Sequence, residues 1–224
     1  MEQFARNIPL LGEVGQKKLN ASNVLIVGVG GVGGYALEMI VRSGIGACTI
    51  VDMDKIDITN INRQILALHS TIGKRKVDVA VQRITDINPH IAITAYCERY
   101  TKDIEEKIFS ARYDYCVDAI DSVKDKIDLI LACKRHNVNC ISALGAGNRL
   151  VADFEVKDIY STSGDGLARA VRSRLRKEGV ESHKTVCAVS NPRIENAFTA
   201  SISYVPSAMG CILAQEVIKD LLCL

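Results

Sequence analysis

Residues Leu25 to Ile40 read LIVGVGGVGGYALEMI, an apolar run that breaks into clustered glycines and then resumes as a helical pattern. Val24 to Val29 is short, continuous and rich in β-branched residues, as a strand buried on both faces requires, and Gly33 to Arg42 repeats its apolar residues at helical spacing. Strand, glycine turn and helix in that order make a phosphate turn. Glycines let the backbone approach the phosphates, and the helix N-terminus meets an anion with the favourable end of its dipole. Gly28, Gly30, Gly31 and Gly33 are the candidate cradle, and Asp52, ending the next apolar run, is placed to accept from ribose hydroxyls. NAD, S-adenosylmethionine and ATP fit this much equally well.

The same form recurs outward from that turn. Ala47 to Asp52, Ile91 to Tyr96, Tyr115 to Asp118 and Asn139 to Leu144 read as further buried parallel strands. Helical patterns lie between them: Gly73 to Asn88, where Val77, Ala80, Val81, Ile84 and Ile87 share a face and Pro89 ends the element, then Asp103 to Ser110 and Ser122 to Asn137. Strand alternating with helix predicts an α/β fold, a Rossmann-like doubly wound and mainly parallel sheet. After Gly147 the rhythm changes. Leu150 to Val156 alternates like an antiparallel strand, a basic helix covers Leu167 to Lys177, Thr185 to Ser190 and Ser201 to Tyr204 read as strands, and a long amphipathic helix runs from Ser207. The expectation is one domain over residues 1–224, with a nucleotide-binding half (1–146) and a substrate- and RNA-binding half (147–224).

Bulk properties exclude several classes. With 28 Lys+Arg against 26 Asp+Glu the chain does not coat polyanions generally, so any nucleic-acid contact must be local. A charged N-terminus and the lack of a long apolar stretch predict a cytoplasmic protein without a membrane span. The 8 cysteines contain no C-x-x-C pair and mostly sit in apolar runs, which reads as buried reduced thiols rather than a zinc knuckle.

The segment VDMDKIDITNINRQIL, Val51 to Leu66, separates the three nucleotides. It sets Asp54, Asn60, Asn62, Arg63 and Gln64 just past the ribose anchor, in a loop at the carboxyl end of the sheet. A diphosphate already met by backbone amides gains little from another guanidinium, whereas a triphosphate breaking to pyrophosphate needs more cations. Arg63 is a forked donor suited to this, and Lys76, in GKRK, supplies a second charge. Opposite them VDAIDS brings Asp118 and Asp121 to the same edge. A carboxylate facing a triphosphate implies Mg²⁺ between them, with Asp121 the better ligand because Asp118 still belongs to the strand.

GVGGVG, the DMD after it, NINRQ, Lys76 and the Asp of DAIDS together resemble the adenylating domain of the ubiquitin-activating-enzyme superfamily. The opening FARNIPLLGEVGQKKL is similar to that superfamily's N-terminal segment, which implies a homodimer in which Arg6 reaches the partner's nucleotide. IYSTSGDGLARAVRSRLRKEGV, VSNPR and SYVPSAMGCILAQEVIKDL resemble its tRNA threonylcarbamoyladenosine dehydratase branch, although Gly166 stands where that branch commonly has proline. The resemblance implies a phosphate cradle of Gly28, Gly30, Gly31 and Gly33, with Asp52 on the ribose and Asp54 nearby. It implies that Asn62, Arg63, Gln64 and Lys76 orient and neutralise ATP, and that Asp121 holds Mg²⁺. A monovalent cation and a sulfur-transfer partner protein are left open.

The implied activity is ATP-dependent cyclisation of threonylcarbamoyladenosine in tRNA, next to the anticodon. The threonyl carboxylate is activated as an acyl-adenylate, and the ureido group of the same side chain then closes the ring and expels AMP. Intramolecular attack has high effective molarity, so no enzyme nucleophile is needed, and Cys187, between Val186 and Ala188, reads as a buried strand residue. The alternative is an adenylyltransferase for the C-terminus of a small sulfur-carrier protein, against which the missing C-x-x-C pairs argue. For tRNA, Arg169, Arg172 and Arg176 share a helical side, broadened by Arg174 and Lys177.

Overall fold

A computed structural model describes residues 2–190 and 199–224. Asn191, Pro192 and Arg193 of the VSNPR motif lie outside the described residues. Strands β1 (Asn23–Val27), β2 (Ala47–Val51), β3 (Ala92–Tyr96), β4 (Tyr115–Asp118), β5 (Asn139–Ala143), β6 (Phe154–Asp158) and β7 (Lys184–Ala188) form one sheet in the order β3-β2-β1-β4-β5-β7-β6. Every neighbouring pair is parallel except β6 with β7. The helices are α1 (Ile8–Ala21), α2 (Gly33–Arg42), α3 (Lys76–Ile87), α4 (Glu105–Ile108), α5 (Val123–Arg135), α6 (Gly166–Lys177) and α7 (Tyr204–Leu222).

Period-two alternation explains the layers. On β1, Val24 and Ile26 join one core with α2, α3 and α7, while Leu25 and Val27 join another with Cys116 and Leu129 on the opposite face. On β4, Tyr115 and Val117 face the first core and Cys116 the second. Helix α6 buries Ala168, Val171 and Leu175, at i, i+3 and i+7, against Ile127 and Ile130 of α5. Its N-cap is Asp165, which accepts from the Leu167 amide, so Gly166 occupies the first helical position, where proline is also tolerated.

Four sequence expectations are corrected. β3 is the sheet edge and half exposed rather than buried, because nothing pairs beyond it. The alternating strand sits at Phe154–Asp158 in place of Leu150 to Val156, and Leu150 and Val151 are exposed. The helix expected over Asp103 to Ser110 is a single turn, α4, after a 3-10 turn. Ser201 to Tyr204 is no strand: α7 begins at Tyr204, with Pro206 in its first turn, where a missing amide leaves no helical bond unmade.

A buried polar network ties α5 to the sheet, and a half-buried one ties α2 to α3. Lys126 and Asp118, both at 0% side-chain exposure, pair at 2.8 Å, and the Lys126 ammonium also donates to the Ala143 carbonyl at 3.0 Å. The Ser142 hydroxyl donates its only proton to Asp118, so the His183 imidazole, 2.7 Å from the same oxygen, donates through Nε2 and keeps its lone pair on Nδ1. Burial holds His183 neutral, below the ordinary imidazole range. On the other face, Glu38 of α2 binds Arg42 and, from α3, Arg83.

Candidate functional site

Strand order reverses between β1 and β4, and the loops leaving the carboxyl ends of β1, β2, β4 and β5 surround a cavity of about 1040 Å³ there. Open α/β sheets bind ligands at this point. The volume reaches the top of the range typical of small-molecule sites, so a nucleotide and part of a second substrate fit together.

The glycine turn forms one wall, and its members divide by role. Gly28 has φ +88°, and a β-carbon there would stand 2.7 Å from the Ala119 carbonyl oxygen. Gly28, Gly30 and Gly31 line the cavity. Gly33 does not: a β-carbon on it would lie 1.9 Å from the Gly28 carbonyl oxygen, so it lets α2 pack against the turn and shapes the cradle from behind. Asp52 braces the same wall, accepting from the Val29 amide with one carboxylate oxygen and from the Asp54 amide with the other, both at 2.8 Å.

The second wall carries the cations. Lys76, at the start of α3, pairs with Asp54 at 2.7 Å; its side chain is 6% exposed and that of Asp54 51%. Arg63 donates through Nη1 to the Thr59 carbonyl at 2.9 Å and to Asn62 Oδ1 at 2.8 Å, while Asn62 donates to the Ser201 carbonyl at 3.0 Å. Asn62 itself does not line the cavity; it holds Arg63 and fastens the approach to α7. Gln64 lines it and is buried; its Oε1 is shut off from solvent with no partner among the described residues, and its Nε2 is the atom that lies beside Gly30, 3.9 Å from where a β-carbon would stand.

Opposite, the Asp118 carboxylate is consumed by Lys126, Ser142 and the Ile120 amide. Asp121 is exposed and lines the cavity, and Ser122, which accepts from the Asp125 amide, is the N-cap of α5. Asp121 is thereby free of a capping role, and an exposed carboxylate facing a phosphate turn is the hard oxygen donor that Mg²⁺ takes. The residues present fit ATP and Mg²⁺: a backbone turn for phosphates, two cations, a side-chain amide beside the turn and an exposed carboxylate.

Arg6 is exposed and outside the cavity lining. Sequence reading missed a third wall. Arg99 pairs with Asp125 at 2.7 Å across 26 residues, and Asp165 accepts from the Gly145 amide at 2.8 Å. Arg149, buried, donates to the Ser190 and Gly145 carbonyls. The glycine pair in GAGNR, after an apolar strand, was the available signal. Cys187 is 3% exposed in β7, and burial pushes its thiol up, against a nucleophilic role.

On α6, Arg169, Arg174, Arg176 and Lys177 are exposed. Arg176 stacks over the Tyr160 ring at 5.1 Å. Arg172 is half-buried and turned inward, donating to the carbonyl and hydroxyl of Thr162 at 2.7 and 2.5 Å. Among the described residues no helix is long and apolar enough to cross a membrane.

The chain as a whole is similar to known proteins. A tRNA threonylcarbamoyladenosine dehydratase of Bacillus subtilis is 38% identical over 242 aligned positions, covering 99% of this chain and 95% of the relative. The molybdopterin-synthase adenylyltransferase of Escherichia coli is 36% identical over 142 positions, 63% of this chain and 56% of its own. The crystal structure of the E. coli tRNA N6-threonylcarbamoyladenosine dehydratase, TcdA, in complex with ATP matches with a TM-score of 0.93 at 31% identity, covering 99% of this chain and 94% of that one. A family model described as the ThiF family matches residues 4–223. With the phosphate turn, the cation wall and the carboxylate all facing one cavity inside that match, the chain belongs to the ThiF family.

Proposed function

We propose that this protein is an ATP-dependent tRNA threonylcarbamoyladenosine dehydratase. The observation that carries the reading is the single cavity that joins the phosphate turn and cation wall to the loops after β5 and before α6, so that ATP and a nucleoside side chain can meet. Support comes also from the near full-length likeness to proteins of that name.

A threonyl carboxylate is a poor electrophile because its leaving oxygen is basic. Its attack on the α-phosphorus of ATP forms an acyl-adenylate and releases pyrophosphate. Arg63, held in place by Asn62 and Thr59, and Lys76 meet the charge that develops on the departing pyrophosphate. Gly28, Gly30 and Gly31 present backbone to the phosphates, Asp52 accepts from the ribose, and Gln64 offers its amide nitrogen beside Gly30 as a donor. Asp121 would hold Mg²⁺, which would supply neutralisation of phosphate charge. The ureido group then attacks the activated carbonyl, AMP leaves, and the nucleoside has lost one water. The exposed cations of α6 bind tRNA phosphates, and two copies of the chain pair so that Arg6 serves the neighbouring site.

The test is to incubate protein, ATP and threonylcarbamoylated tRNA and follow the nucleoside by mass spectrometry. Loss of one water with AMP formation is expected. ADP in place of AMP would replace the adenylate with an acyl phosphate, and an unchanged nucleoside would refute the activity. Pyrophosphate exchange driven by a sulfur-carrier protein rather than by modified tRNA would return the alternative.

A further inference from the structure

Three cysteines that the sequence spaces widely meet in space. Cys116 of β4 and Cys140 of β5 are register partners in the parallel ladder, so both side chains leave the same face of the sheet. Cys133, late in α5, packs onto them. All three sulfurs lie within 4.8 Å of one another. Thiolates sharing one Zn²⁺ at about 2.3 Å stand about 3.8 Å apart at tetrahedral corners, so a closure of at most about 1 Å makes the set a chelate.

Buried cysteines often act as small apolar residues, and Cys116 and Cys133 are 0% and 1% exposed. Two observations go further. A cavity of about 640 Å³, separate from the nucleotide cavity, opens onto Cys133 and Cys140, which gives an ion a way in and a water the fourth corner. The same cavity is lined by Lys134, Lys184 and His183. Three thiolates and Zn²⁺ leave one net negative charge, which the Lys134 ammonium on the cavity wall faces, while Lys184 is already paired with Asp220 at 2.7 Å. The cluster offers sulfur and no carboxylate, which selects a thiophilic ion and excludes Mg²⁺ and Ca²⁺.

We propose that Cys116, Cys133 and Cys140 form a thiolate site for Zn²⁺, with its fourth position open to the cavity lined by His183. Binding forms three Zn–S bonds and releases the three thiol protons to solvent. The ion clamps α5 onto β4 and β5, the strand pair that leads directly to Asp118 and the Asp121 loop. Neither the nucleotide site nor the tRNA reading is needed for this, so either can fail alone.

The test uses the full chain, purified reduced and stripped with a chelator, then titrated with Zn²⁺ and separately with Co²⁺. Expected are one Zn²⁺ per chain by elemental analysis, a melting temperature that rises with Zn²⁺, and a thiolate-to-cobalt band in the near ultraviolet. Cys133→Ser should weaken Zn²⁺ binding at least about tenfold, while Cys211→Ser, at an exposed cysteine remote from the cluster, leaves it unchanged. Cys133→Ser binding as tightly as the parent overturns the proposal. If that variant does not fold, the parent decides: a missing thiolate-to-cobalt band, or Zn²⁺ bound at a small fraction of one equivalent, overturns it equally.

Discussion

Lys126→Met isolates the buried pair on which the catalytic edge of the sheet rests. The ammonium and the Asp118 carboxylate are both wholly buried, 2.8 Å apart, and the ammonium is also a partner of the Ala143 carbonyl. Methionine keeps an unbranched side chain, shorter by one atom, and removes the charge. The carboxylate is then left with a serine hydroxyl and one backbone amide, both neutral donors, in a place that water does not reach. Removing one partner of such a pair costs about 3–5 kcal/mol, most of it the uncompensated charge. That is a large share of the roughly 5–15 kcal/mol that holds a domain together. For a chain of this size it corresponds to a melting temperature lower by about 6–20 °C. Adding Asp118→Asn removes the orphan charge, so the double variant should be more stable than Lys126→Met alone. Equilibrium urea unfolding of the parent, both single variants and the double variant completes the cycle. A loss below about 1 kcal/mol for Lys126→Met, or strict additivity in the double variant, would refute the reasoning.

Arg63→Ala and Lys76→Ala should each lower turnover about 10²-fold or more while the protein stays folded, measured as AMP release at saturating tRNA. Gly33→Ala places a methyl group against the Gly28 carbonyl and should abolish ATP binding by calorimetry, whereas retained binding would show that α2 can retreat from the turn. Arg169→Glu with Arg174→Glu should weaken tRNA binding and flatten its salt dependence without changing ATP affinity; Arg172→Glu should instead destabilise the fold, since that guanidinium is bound to Thr162. Burial pushes the Glu38 carboxyl up, but bonds to Arg83 and Arg42 outweigh this and hold it below its ordinary value. The stability it contributes is present above the unfolded carboxylate range and is lost as pH falls through the folded pKa. Glu38→Gln should therefore cost about 1–3 kcal/mol near pH 7 and almost nothing in acid, read from urea midpoints across pH.

The parallel strands and the cavity's first two walls were legible because local signals mark them. Apolar runs ending in glycine or aspartate locate the carboxyl edge of the sheet, and Gly28, Asp52, Arg63, Lys76 and Asp121 follow from that edge. Other features depend on what lies beside a segment. Ala92–Tyr96 has the composition of an inner strand, and only the strand order reveals it as the edge. Gly33 looks like its neighbours in the turn, yet its constraint comes from the Gly28 carbonyl behind it. Arg99 with Asp125, Arg149 with Ser190 and the three clustered thiols are brought together by register and crossover, which no spacing in the chain announces. Arg172 shares a helical side with its basic neighbours, and the Thr162 acceptors that turn it inward belong to another segment.

The pairing of Lys76 with Asp54 bears on how the pocket fills and empties. An ammonium shut away from water already has its counter-charge, so Lys76 does not stand in the vacant pocket as a bare cation that would attract anions indiscriminately. An arriving phosphate must displace a carboxylate, and that carboxylate is half open to solvent and can be rehydrated at little cost. The exchange is favourable in proportion to the charge of the newcomer. A triphosphate has enough to take Lys76 from its resident partner, and a monophosphate has much less. In the proposed reaction Asp54 would reclaim the lysine as the pyrophosphate leaves, so the salt bridge that screens admission would also favour release.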